Sequence, residues 1–403
     1  MTILYFVPDW DDRVDPDYDF LRDMHRSGRN PYRDDRYAHE IYDTPPYDGI
    51  LLSRATLDDS KAKHDAILQA GSAHRYLRLP ADEQHKVLGD CGAFSYWQQN
   101  EPPYRTDDVL AYYQDLGFDL GVSVDHLIFA EIDAERERRW DITINNAEAF
   151  LKQHRSGGYT FTPVGVAQGW DPSSYQRAAR ALVRMGYTHI AVGGLVRSRT
   201  EDVLRVLASI KEELPSGMQV HLFGVNRPEY ARQFAALGVT SFDSASRLRR
   251  AWMDGRHNYF LQDNSYTAIR IPEAQALVKK KPDLDAHRAV QLEQDALQAL
   301  RAFDKGEVTV DDAHAAVAAY AEYTGDQPHR ISHDYLQTLA EEPWKNCPCL
   351  ICQNIGIEVV IFRGNNRNRR RGFHNIWQLY WQLHAPITTV EPNVPIVQLE
   401  LRF

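Results

Sequence analysis

A chain of 403 residues with an apolar fraction of 43% can bury a sizeable core, as one large domain with an appendage or as two domains. Its net charge of −10 excludes wholesale wrapping of nucleic acid, because affinity for phosphates comes from clustered Lys and Arg. No apolar run reaches membrane-spanning length, and "MTILYFVPDWDDRVDPDYDF" lacks a basic stretch followed by an apolar one, so a cytoplasmic protein with no membrane partner is expected.

In chain order, the first strands expected are "GILLS" (49–53), "YLRL" (76–79) and "VLGDCGAFS" (87–95). A rhythm then sets in. Helical stretches end in Leu or Met followed by Gly, and a short apolar strand comes next, in "YYQDLGFDLGVSVD", "LVRMGYTHIAVGG" and "FAALGVTSFDSA". Gly117, Gly186 and Gly238 suit the left-handed residue that follows a helix end. Strands "FTPVGVAQG" (161–169) and "QVHLFGV" (219–225) fall between, and amphipathic segments 106–116, 172–185 and 200–213 alternate with them. About eight strands over roughly 250 residues, each followed by a helix, predict an α/β fold of the (β/α)8 TIM-barrel type. An open sheet is disfavoured, for no glycine-rich phosphate fingerprint follows a first strand. Residues 1–270 are expected to form the barrel, 271–342 a helical segment packed on it, and 343–403 an appended subdomain ending in a helix and a strand.

That last stretch opens with "NCPCLICQN", which holds three of the chain's four cysteines. Adjacent disulfides would leave an odd thiol, so metal is the stronger reading. A structural zinc site is tetrahedral, and Cys347, Cys349 and Cys352 need one further donor. His374 is the first histidine downstream. A zinc-dependent hydrolase would need an open coordination position, which three thiolates and a histidine do not leave. Between Cys352 and His374 lies "RGNNRNRRRGF", read as a basic loop that the metal clamps, with Arg363, Arg367, Arg369, Arg370 and Arg371 facing a phosphate backbone. Further basic patches are Arg247, Arg249 and Arg250 in "SRLRR" and Lys279 to Lys281, the lysines reading equally well as solvated surface.

In a barrel of this kind chemistry sits where the strands end at their carboxyl side. Those ends carry Asp90, Asp125, Gln168, Gly193, Gly194 and Asp243. A single carboxylate after a strand is ordinarily a helix cap or a turn residue. Three on one rim suggest glycosidic bond exchange, in which one carboxylate attacks or steadies a cationic sugar while another moves protons on the leaving group.

The motifs "GDCGAF", "GVAQG", "AVGGL", "HLFGV" and "SFDS", followed by the C-x-C-x2-C…H pattern, stand in the order found in tRNA-guanine transglycosylases, which the chain resembles over roughly residues 85–375. The resemblance implies a barrel with a zinc subdomain. Asp243 would be the nucleophile that attacks C1′, and Asp90 the general acid and base. Asp125 and Gln168 would read the polar edge of the base, helped by Gly193 and Gly194, with Phe94 stacked on its ring. The sequence also departs from the tRNA enzymes. Cys91, Gly92 and Ala93 stand where Ser-Gly-Gly is usual, "SASRLRR" replaces a Cys-Val-x-Pro-Thr-Arg run with Arg249 at the arginine's place, and little chain follows the zinc segment. These changes resemble the bacterial and phage DNA 7-deazaguanine transglycosylases. Exchange of guanine for a 7-deazaguanine, preQ0 by that likeness, in DNA is therefore expected, with tRNA as the alternative substrate. A non-catalytic subunit would have lost Asp90 or Asp243, and both are present. Because a duplex hides its bases, a DNA-opening ATPase partner is expected as well.

Overall fold

The computed structural model describes residues 3–80, 84–129, 132–325 and 332–384. Eight parallel strands close into a barrel in sequence order: β1 (Leu4–Pro8), β2 (Gly49–Ser53), β3 (Lys86–Asp90), β4 (Leu120–Val122), β5 (Thr162–Ala167), β6 (His189–Val192), β7 (Gln219–Leu222) and β8 (Ser241–Asp243). Closure is made by β1 against β8, where Phe6 lies opposite Asp243. The strands read as nearly continuous apolar runs because both of their faces are covered. In β2, Leu51 joins Phe6, Leu88, Val122, Val164, Val166 and Ala191 in the cluster that fills the barrel, while Ile50 and Leu52 pack outward in the larger core. Helices Thr106–Asp115, Asp133–Gly157, Pro172–Met185, Thr200–Lys211 and Ala231–Ala236 surround it. Gly117, Gly186 and Gly238 all have positive φ, as their positions after helix ends require. Among the described helices, none is long and apolar enough to cross a membrane.

After β8 comes the helix Ser246–Met253, then an antiparallel hairpin of β9 (Tyr259–Leu261) and β10 (Asn264–Tyr266), and a short β11 (Ile269–Arg270). The long helices Ala286–Asp304 and Val310–Thr324 follow, and then the cysteine-bearing segment with the helix Leu350–Ile355. Its strand β12 (Ile361–Phe362) pairs in parallel with β11, tying this segment back to the end of the barrel. The helix Gly364–His384 packs lengthwise on Ser246–Met253, and close approach is available because a Cβ on Gly372 would stand only 2.9 Å from Leu248.

Three expectations are corrected. "YLRL" is not a strand: Ser72 caps the short helix Ala73–Leu77 by accepting from the Arg75 N–H at 3.3 Å, and Arg78 ends it in the left-handed region. The Arg78 guanidinium is then held by Glu40 at 2.8 Å and by the Asp35 carbonyl at 2.6 Å. A four-residue apolar run cannot distinguish a buried helical turn from a strand by periodicity. The missing eighth strand is β1, whose "LYFVP" lies at the very start of the chain. Finally, "RGNNRNRRRGF" is no loop: after Arg363 it forms the amino-terminal half of the helix Gly364–His384. The strand expected near the carboxyl end falls outside the described residues.

Candidate active site and metal centre

The carboxyl ends of the strands gather the polar residues on one rim. Asp90 is the last residue of β3 and Asp243 the last of β8; Asp125 lies just past β4, Gln168 directly after β5, and Gly193 directly after β6. Asp125 and Asp243 are buried, and Asp90 stands partly open at the mouth.

Asp243 accepts a hydrogen bond from the Gly224 N–H at 2.9 Å and another from His221 Nε2 at 3.2 Å. A carboxylate only accepts, so Nε2 carries the proton and Nδ1 takes the hydroxyl proton of Ser241 at 2.9 Å. Ser241, His221 and Asp243 thus form a chain that fixes the carboxylate at the barrel wall. His221 and Ser241 are absent from the sequence-based set. Their signal was a polar side chain at an inward position of a barrel strand, visible as His221 inside "QVHLFGV".

Asp90 has the opposite environment. Burial of its carboxyl, reinforced by the nearby Asp125 and Asp243 carboxylates, pushes its pKa up to about 7, against the pull of the Gly92 N–H that it accepts at 3.0 Å. Asp125 is pushed up to about 6 by burial, with the Gln168 amide opposing. The raised value at Asp90 has a sign. An unfolded Asp carboxyl titrates near about 4, so the folded protein keeps a proton that the unfolded chain has lost, and stability falls as pH rises through the window from there to about 7. Asp90→Asn cannot ionise. It is expected to melt above the wild type at pH 8, with the gap narrowing towards pH 5, while exchange falls by about 10²- to 10⁴-fold; melts across pH and an activity assay check both.

Gln168 donates through Nε2 to Asp125 Oδ2 at 2.7 Å. Its Oε1 is buried and has no hydrogen-bond partner among the described residues, an acceptor left open beside the mouth. The loop that carries it is fixed by a cap: Asp171 accepts from the Ser174 N–H at 2.7 Å and Pro172 opens the helix. Gly193 and Gly194 leave the amide its space. A Cβ on Gly194 would lie 2.8 Å from Gln168 Oε1 and 2.9 Å from the Tyr175 hydroxyl, and its φ of +80° already favours glycine. Tyr175 donates to the Gly193 carbonyl at 2.8 Å. Phe94 lies on the short helix Ala93–Tyr96 after Asp90, 51% exposed, its ring centroid 6.3 Å from that of Phe129.

Cys347, Cys349, Cys352 and His374 come together in the interior, all four ligand atoms within 4.8 Å of one another. His374 Nδ1 lies 3.5, 3.4 and 3.3 Å from the three sulfurs in turn. A tetrahedron with zinc–sulfur and zinc–nitrogen bonds of ordinary length has S···N edges of about 3.5 Å, so the donors fit such an ion. The surroundings orient them. His374 Nε2 donates to the Phe260 carbonyl at 2.6 Å, leaving Nδ1 free to ligate, and the Tyr259 ring stacks on the imidazole at 4.0 Å. Gln378 donates to the Cys347 sulfur at 3.3 Å and the Cys352 N–H to the Cys349 sulfur at 3.4 Å.

The arginines expected beside the metal to face a phosphate backbone are turned inward. Arg367 pairs with Asp23 and with Glu358 at 2.6 Å, and donates to the Phe20 carbonyl at 2.9 Å. Arg363 pairs with Asp23 and Glu293, Arg370 donates to the Asp15 carbonyl at 2.7 Å, and Arg371 to the Val359 carbonyl at 3.0 Å. Arg369, partly exposed, donates to the Arg13 carbonyl at 2.9 Å. Arg363, Arg367, Arg369 and Arg370 staple the segment around residues 13–23 to the start of the last described helix, because its acid and carbonyls, with Glu293 and Glu358, supply the partners that a solvated arginine would find in water; Arg371 ties the helix to Val359 and Ala251 instead. Arg367→Ala is accordingly expected to cost about 3 kcal/mol of stability by stranding buried acids, with the salt dependence of polynucleotide binding unchanged; urea unfolding and salt titration check this. Arg247, Arg249 and Arg250 differ. They lie on the helix just after Asp243, Arg247 over the Phe260 ring at 3.7 Å, Arg249 over Trp10 at 4.1 Å, and Arg250 paired with Asp254 at 2.8 Å.

The family model for queuine tRNA-ribosyltransferase matches residues 50–289. A DNA-guanine transglycosylase of Salmonella montevideo is 41% identical over 410 aligned residues, covering 95% of this chain and 97% of the relative. The tRNA-guanine(15) transglycosylase of Methanocaldococcus jannaschii is 27% identical over 190 residues, 43% of this chain and 28% of that protein. The queuine tRNA-ribosyltransferase of Geobacillus thermodenitrificans is 25% identical over 224 residues, covering 48% and 56%. The closed barrel, the carboxylates on its rim and the match over more than half of the sequence place the chain in the queuine tRNA-ribosyltransferase family of guanine transglycosylases.

Proposed function

We propose that this protein is a pentosyltransferase that replaces guanine in DNA with a 7-deazaguanine base, preQ0 by resemblance, through a covalent glycosyl ester on Asp243. The observation that carries the reading is the pairing of one firmly hydrogen-bonded carboxylate, Asp243, with one whose pKa sits near 7, Asp90, on the same rim. Full-length similarity to a DNA-guanine transglycosylase supports DNA as the polymer.

In the first half-reaction Asp243 Oδ attacks C1′ of the target nucleotide, the C1′–N9 bond breaks, and the departing guanine takes the proton of Asp90. Asp90 is then a carboxylate. It removes the N9 proton of the incoming 7-deazaguanine, whose nitrogen attacks C1′ and displaces Asp243. Both aspartates end in the states in which they began. A carboxyl titrating near neutrality suits a group that must give and take a proton in successive steps.

Asp125 and Gln168 hold the polar edge of the base. The unsatisfied Gln168 Oε1 is an acceptor awaiting a donor, and a base N–H supplies one, which makes the site better paired when filled. Gly193 and Gly194 give the base backbone contacts, and Phe94 closes over its ring. Cys347, Cys349, Cys352 and His374 would hold a zinc ion in a structural role, since three thiolates and an imidazole would fill its four positions and leave none for water. Arg247, Arg249 and Arg250 are the basic residues near the mouth that meet the DNA.

The target guanine must leave the duplex, at a cost of a few kcal/mol, and a chain of net charge −10 gains little from phosphates to offset it. A DNA-opening ATPase partner follows from that balance. The test is to incubate the protein, with and without such a partner, with labelled 7-deazaguanine and either plasmid or tRNA, then digest to nucleosides. Label in deoxynucleosides is expected; label in tRNA under every condition and never in DNA overturns the reading.

A further inference from the structure

With the arginines of the helix Gly364–His384 turned inward, the mouth exposes aromatic surface in their place. Trp10, two residues beyond β1, is 47% exposed, and the Arg249 guanidinium lies over its ring at 4.1 Å. Because β1 pairs with β8, this stack stands on the side of Asp243. Across the mouth, the loops after β3, β4 and β6 bring up a second group: Trp97, 38% exposed, and Phe94, with Phe129 between them and Arg197 over the Phe129 ring at 5.9 Å. The Trp97 and Phe129 rings meet edge to face at 5.7 Å, and the Trp97 carbonyl is fixed by the Arg139 guanidinium at 2.8 Å.

We infer that Trp10 with Arg249, and Trp97 and Phe129 with Arg197, are two stacking platforms for the bases that flank the target guanine in opened or single-stranded DNA. Each platform pairs an aromatic face with a guanidinium, the combination that holds a base plane and the phosphate next to it. The occupant follows from charge and position. Both groups border the carboxylates, so whatever covers them also spans the site, and a polyanion meets both cations while its bases meet both aromatic faces. With a net charge of −10 the protein cannot rely on a continuous phosphate-tracking groove, and stacking supplies sequence-tolerant affinity without one. Gripping the strand on both sides of the extruded nucleotide holds its C1′ over Asp243.

This inference rests on the proposal that DNA is the substrate, and the experiment separates the two. A fluorescently labelled single-stranded oligonucleotide with one guanine is titrated with wild type, Trp10→Ala and the double variant Trp97→Ala/Phe129→Ala, with melting temperatures recorded for each. Each loss is expected to weaken binding by about 10-fold or more, and Trp10→Phe and Trp97→Phe to retain most of the affinity, because stacking needs a flat aromatic face. Wild-type binding should depend only shallowly on salt, since few counterions are released. Wild-type affinity in folded alanine variants, or loss of self-association in place of DNA binding, overturns the inference while DNA incorporation by the wild type leaves the exchange reading standing. Failure of the wild type to bind or modify DNA overturns both.

Discussion

Asp243→Asn leaves the fold intact and lowers base exchange by about 10⁴-fold or more, because a carboxamide cannot form the glycosyl ester. The substitution is nearly isosteric. The amide oxygen still accepts from the Gly224 N–H and from His221, so the chain of hydrogen bonds from Ser241 persists and the barrel closure at β1 and β8 is undisturbed. Incorporation of labelled base, measured beside a melting curve, checks the result. Near wild-type incorporation would take the nucleophile's role away from Asp243. His221→Phe provides the contrast, since it removes one hydrogen bond and leaves the carboxylate in place, and its effect should be far smaller than that of the nucleophile.

Serine in place of Cys347, Cys349 or Cys352 is expected to remove metal and soluble protein together. Binding free energy at a structural zinc site amounts to roughly 10 kcal/mol or more in small zinc peptides, comparable to the whole stability of a domain, and it is coupled to folding. The four ligands lie on two separate stretches, the cysteine turn and the helix Gly364–His384, so without the ion little but packing joins them. Loss of the joint also reaches the active site, because that helix packs on Ser246–Met253, which begins three residues after Asp243. Elemental analysis of pure, active protein should find one zinc per chain, and chelation should lower the melting temperature of the wild type and of Asp90→Asn alike, because Asp90 is not among the four ligands and both lose the same ion. Active protein free of zinc would falsify the clamp.

The barrel and the polar residues placed on its rim were legible because both depend on local spacing. Glycines after helix ends mark the returns to the sheet at Gly117, Gly186 and Gly238, and a carboxylate or amide ends or directly follows an apolar run at Asp90, Gln168 and Asp243. His374 was legible because the donor count of a zinc site demanded it. What escaped depends on partners distant in sequence. A run of arginines on a helix reads as solvated charge until Asp23, Glu293 and Glu358 arrive from elsewhere to pair with it. The inward turn of "LYFVP" as β1 depends on β2 and β8 together, and only β8 makes Phe6 a neighbour of Asp243. His221 became meaningful once β7 set it beside Asp243.

The arginine staples also bear on how the chain is made. Arg363 and Asp23 are 340 positions apart, and Arg369 reaches a carbonyl 356 positions away. A ribosome therefore releases the first strand and its acidic tail long before their partners exist, and at ordinary synthesis rates of 5–20 residues per second the wait is about half a minute. During that interval buried acids and an unpaired edge of β1 face solvent. These staples close only as the helix Gly364–His384 emerges, so the newborn chain passes through a protracted, aggregation-exposed stage in which chaperones have most to do.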